Sequence, residues 1–66
     1  MSVAKIIEVS SESETSFEDA IQKGIDKTAQ SVEGVKGAWI KEQKVTVDEN
    51  RITHYRVDMK VSFVIN

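Results

Sequence analysis

Ala38–Val47 reads AWIKEQKVTV, Asp48–Arg51 reads DENR, and Ile52–Ile65 reads ITHYRVDMKVSFVI. Two long stretches of alternating apolar and polar residues, rich in β-branched side chains and parted by a short polar segment, are the pattern of a β-hairpin. With Asp48–Arg51 as the turn, the ladder opposes Val47 to Ile52, Gln43 to Arg56, Lys41 to Asp58 and Trp39 to Lys60. Period two then sorts the residues onto two faces. One carries Ala38, Ile40, Tyr55, Val57, Met59, Val61 and Phe63; the other carries Trp39, Lys41, Gln43, His54, Arg56, Asp58 and Lys60. A half-apolar hairpin needs a cover on its apolar face.

The cover lies upstream. Phe17, Ala20, Ile21, Gly24, Ile25, Thr28, Ala29 and Val32 recur at spacings of three and four, one stripe of an amphipathic helix, while Glu18, Asp19, Lys23, Asp26, Lys27 and Gln30 face away. Thr15 and Ser16 are N-cap candidates, with capping boxes to Glu18 and Asp19, and Gly34 is the C′ candidate. Val3–Val9 reads as a short strand and Ser10–Ser16 as the loop after it. The expected fold is α+β in the order β-α-β-β, one domain over residues 1–66. One helix cannot cover both sides of strands this long, so the Trp39 face meets either solvent or another subunit.

Length and composition bound the function. A 66-residue chain buries only about 60% of its unfolded surface on folding, against an ordering cost on the order of 100 kcal/mol. Disulfides and a structural metal are the usual supplements, but the chain has no cysteine and one histidine, His54. Association of identical copies is the remaining route. The absence of cysteine fits a reducing cytoplasm. A net charge of −2 with interspersed signs argues against a nucleic-acid partner. Apolar runs such as Val61–Ile65 are too short to span a bilayer, and the N-terminus lacks a signal-peptide layout.

The order strand, capped helix, long hairpin, with AIQKGIDKTAQSV from Ala20 to Val32 and HYRVDMKVSF from His54 to Phe63, resembles the dodecins. The resemblance covers nearly the whole chain. It implies a three-stranded antiparallel sheet wrapped around one helix, a hollow shell of twelve copies, and small-ligand sites at subunit contacts. The ligands it implies are flavins, riboflavin or FMN, stored rather than turned over. In flavin-binding members a tryptophan at the start of the second strand stacks on the isoalloxazine ring and a glutamine on the last strand bonds its polar edge. Here the tryptophan position falls on Gly37, with Trp39 two residues later on the same face, and the glutamine position falls on Arg56, with Gln43 across the ladder.

The candidate ligand-binding residues are therefore Trp39, Arg56, Gln43 and Gly37. Glu12, Glu14, Asp48 and Glu49 place acidic groups in two loops and are the candidate ligands for a hard cation such as calcium, above all where symmetry brings copies together. Two readings follow: a flavin-sequestering shell, or a shell without flavin that is structural or binds a cation or coenzyme A. Neither needs catalysis. The serines and threonines of residues 10–16 have no accompanying base, and there is no Gly-rich phosphate loop or metal-ligand spacing.

Overall fold

A computed structural model describes residues 3–65; the first two residues and the last of the expected domain lie outside the described residues. Four elements follow one another: β1 (Val3–Ser13), α1 (Phe17–Ala29), β2 (Val35–Asp48) and β3 (Arg51–Ile65). The strands form one antiparallel sheet in the order β1-β3-β2, so β3 is central and both β1 and β2 are edges. The α+β, β-α-β-β architecture is thus as expected.

The turn between β2 and β3 is the Asp48–Arg51 turn read from sequence. Asp48 pairs with Arg51, and only Glu49 and Asn50 lie between. Both have positive φ, 49° and 65°, the conformation of a two-residue type I′ turn whose twist matches that of the flanking strands.

α1 packs on one face of β3. Its buried row is Ala20, Gly24 and Thr28, small residues that let the helix axis approach Val57, Met59, Val61 and Phe63, the buried apolar residues of β3. Thr28 satisfies its hydroxyl on the Gly24 carbonyl at 2.8 Å. Phe17 closes the N-terminal end edge-to-face on Tyr55, with centroids 5.1 Å apart. Ser16 alone is the N-cap, accepting from the Asp19 N–H at 3.0 Å. The Asp19 carboxylate does not complete a capping box; it accepts from Ser13 Oγ at 2.6 Å and pairs with Lys23 at 3.0 Å.

Three sequence expectations are corrected here. β1 does not stop at Val9: Ser10, Ser11, Glu12 and Ser13 continue the ladder opposite Asp58, Val57, Arg56 and Tyr55. The long central strand offers partners that outweigh the poor strand propensity of serine. The helix ends at Ala29, so Gly34 is not its C′ residue. Gly34 instead turns the chain into β2 with φ of 77°, and its carbonyl accepts from the Val64 N–H.

The third correction is the hairpin register. Trp39 opposes Lys60 and Val47 opposes Ile52 as expected, but between them Gln43 opposes Val57, Lys44 opposes Arg56 and Glu42 opposes Asp58. Irregularities at both ends of this segment make the shift: Lys41 is an extra residue in β2, and Thr53 is an extra residue in β3. Each bulge slips the pairing by one, and the second cancels the first. A slip of one residue moves a side chain to the other face, so Gln43 lies on the face of Val57 and not beside Trp39.

Candidate functional site

The sheet face away from α1 can be read in rows, because residues opposed across a ladder share a face. Nearest β2's start, Gly37, Ser62 and Ile6 form one row; Trp39, Lys60 and Glu8 the next; Glu42, Asp58 and Ser10 a third; Lys44, Arg56 and Glu12 a fourth. No element of the described residues lies over this face.

Trp39 stands on it with 47% of its surface exposed. Beside it Gly37 contributes no side chain, and a Cβ there would come within 3.3 Å of Ser62 Oγ. That hydroxyl donates to the Gly37 carbonyl at 3.3 Å. The indole is therefore flanked by a bare strip of backbone on the side where the resemblance placed the aromatic residue.

The polar side of the site is a hydrogen-bonded chain. Arg56 Nε donates to Ser10 Oγ at 3.2 Å, and Ser10 Oγ donates to Asp58 Oδ1 at 2.8 Å. The guanidinium presents donors only and the carboxylate acceptors only. Arg56 and Asp58, two residues apart on one strand, so offer both halves of an amide-like edge. Lys41 does not pair with Asp58, as the expected register had it; its Nζ reaches across to Glu8 Oε1 at 3.2 Å. The bulge at Lys41 is what leaves Asp58 facing Glu42 instead.

Of the expected ligand-binding residues, Trp39, Gly37 and Arg56 share this face and Gln43 does not. Ser10 and Asp58 share this face and bond to each other, and neither was among the candidate ligand-binding residues read from sequence. Ser10 fell in an apparent loop, and Asp58 was assigned to Lys41. Alternation extended through Ser10 and Glu12 was the signal that could have placed them.

The acidic candidates divide. Glu12 and Glu14 line one pocket of about 310 Å³ together with Ser13, Thr15, Lys23 and His54. His54 Nε2 lies 3.6 Å from Glu14 Oε1. Asp48 and Glu49 are at the hairpin tip, outside that pocket. Among the described residues, no three His, Cys, Asp or Glu side chains are grouped as metal ligands. No helix of the described residues is long and apolar enough to cross a membrane.

Comparison with known proteins bears on the family. The chain is 35% identical over 63 residues to the calcium dodecin of Mycobacterium tuberculosis, covering 96% of this chain and 89% of that protein. The crystal structure of that calcium-chelating antigen superposes with a TM-score of 0.82 at 32% identity, over 97% of this chain and 91% of the other. An arginine-to-alanine variant of the Thermus thermophilus dodecin superposes with a TM-score of 0.93 at 26% identity, over 100% and 98% of the two chains. The family model of the dodecins matches residues 3–66. With strand order, helix packing and sequence in agreement, the chain belongs to the dodecin family.

Proposed function

We propose that the chain is the subunit of a self-assembled, non-catalytic dodecin that holds a flat heteroaromatic ligand of the flavin class on its uncovered sheet face. The observation that carries this reading is the half-exposed Trp39 indole, on the same face as the Arg56–Ser10–Asp58 chain. A flavin's pyrimidine edge alternates carbonyl oxygens with a ring N–H. Arg56 would donate to the carbonyls and Asp58 would accept from the N–H, the part that Gln43 cannot play from the other face. The bound ring would supply only its own absorbance and redox chemistry; this chain's residues bind, orient and shield it.

Self-assembly is supported by the subunit's surface. Its accessible area is 4923 Å² for 7.4 kDa, about 700 Å² more than a compact monomer of that mass exposes. That excess is close to what one partner contributes to an ordinary protein interface, about 800 Å².

A second reading is calcium binding, favoured by the 35% identity to a protein named calcium dodecin and by Glu12 and Glu14 lining one pocket. Ser13, Thr15, Lys23 and His54 line the rest of that pocket, so further carboxylate ligands would come from another copy.

Titration of the ligand-free protein with riboflavin and FMN, followed by flavin fluorescence, separates the two, with calcium chloride and coenzyme A titrated by calorimetry in parallel. Saturable quenching that Trp39→Ala abolishes and Asp58→Ala weakens about tenfold, the loss of one hydrogen bond to a charged group, is the expected result. Calcium heat without flavin quenching, removed by Glu12→Gln with Glu14→Gln, replaces the first reading with the second.

A further inference from the structure

Lys41 and Glu8 lie on the two edge strands, with β3 between them. Neighbouring strands are about 4.8 Å apart, so the two backbones are separated by about 10 Å. The side chains close that gap over the uncovered face: Lys41 Nζ lies 3.2 Å from Glu8 Oε1 and 3.5 Å from Glu8 Oε2. Among the described residues it is the one ion pair that crosses the central strand. The bulge in β2 puts it there. Regular alternation gives a face every second side chain, but the extra residue lets Lys41 and Glu42 follow Trp39 on the same side: Glu42 opposes Asp58, and Lys41 reaches Glu8.

The crossing lies between the two halves of the ligand face. Lys41 stands between Trp39 and Glu42 on β2, and Glu8 stands in the row of Trp39, two residues before Ser10 on β1. The pair therefore passes over β3 beside Lys60, on the side toward Asp58. The indole is on one side of it and the Arg56–Ser10–Asp58 chain on the other. Successive rows on one face are about 7 Å apart. A fused-ring ligand stacked on Trp39, with its polar edge on Arg56 and Asp58, occupies the same strip. The two side chains are 54% and 51% exposed, so the pair is a weak one that a ligand can displace.

We infer that the Lys41–Glu8 ion pair is a strap across the ligand face: it competes with a flavin-class ring when closed and opens for the ring to reach Trp39 and Asp58 together. The strap rests on the flavin-class reading of this face and adds to it two residues that lower affinity rather than supply it. Breaking either partner removes the competition, and the gain is about two- to fivefold, the strength of an exposed pair.

Riboflavin, which is uncharged at pH 7, is the probe, titrated by flavin fluorescence into the wild type, Lys41→Met and Glu8→Gln. The two substitutions change the charge of the face in opposite directions. An effect of charge on the ligand would therefore move the two affinities in opposite senses, whereas loss of the strap moves them in the same sense. The expected result is a Kd lowered about two- to fivefold in both variants, with the exchange E8K/K41E, which rebuilds the pair in reverse, returning to within about twofold of the wild type. Both positions are half exposed, so circular dichroism of each variant matches that of the wild type. Quenching that appears only in the two single variants also supports the strap. Wild-type binding that both variants leave unchanged or weaken, or that they shift in opposite senses, overturns the strap and leaves the flavin reading standing. No saturable quenching by the wild type or any variant overturns the flavin reading, and the strap with it.

Discussion

Ser13 and Asp19 show how one residue can hold two elements. Ser13 is 3% exposed; its hydroxyl accepts from the Thr15 and Ser16 N–H groups and donates to Asp19. The end of β1, the connecting loop and the first turn of α1 therefore meet on one oxygen. The bond from Ser13, and after it the contact with Lys23, hold the Asp19 carboxyl below its ordinary value. A carboxylate lowered in the folded state stabilises it above the unfolded pKa, and that contribution is lost as pH falls. Asp19→Asn is accordingly less stable than the wild type at pH 7, and the gap closes as pH drops below the ordinary value of 3.8. Chemical denaturation of both proteins across that range measures it; a gap independent of pH would show that Asp19 acts only through packing.

At the scale of elements, the helix sits where it does because its buried row has no bulk. A Cβ at Gly24 would overlap the Met59 methyl and approach Ser11 Cβ to 3.2 Å. Met59 is fully buried, so its methyl has little room to yield. Gly24→Ala gains about 1 kcal/mol of helix propensity but costs about 1–3 kcal/mol of overpacking. The expected outcome is a net loss of about 1 kcal/mol, read as a lower denaturant midpoint at unchanged slope. The two bulges act at the same scale. Lys41 and Thr53 confine a shifted register to the middle of the hairpin, and Thr53 Oγ1 donates to the Thr46 carbonyl at 3.2 Å, so the extra residue also bonds across the ladder.

At the scale of the molecule, the buried apolar set among the described residues is Ala20, Val57, Met59, Val61 and Phe63, a small core. Val45, Val47, Ile52 and Trp39 stay exposed in the single subunit. Stability that depends on covering them follows mass action. The melting temperature is expected to rise by several degrees as subunit concentration goes from about 1 µM to about 100 µM, measured by differential scanning fluorimetry. A melting temperature independent of concentration over that range would mean that the subunit is stable by itself.

The α+β class, the helix stripe and the two long strands were legible in the sequence because period two and period 3.6 are local properties of the chain. Trp39, Gly37 and Arg56 could be placed on one face for the same reason. The register from Glu42 to Thr46 was not legible. A bulge is settled by how two strands and the helix beneath them fit together, and a single extra residue reverses which side chains share a face. That is why Gln43 left the candidate site and Asp58 entered it. Ser10–Ser13 read as a loop because propensity alone describes an isolated segment, whereas β3 supplies partners for every residue of it. Local pattern determined which elements exist; tertiary pairing decided which polar groups meet, because a site on a sheet is built from residues that are distant in sequence and adjacent only across the ladder.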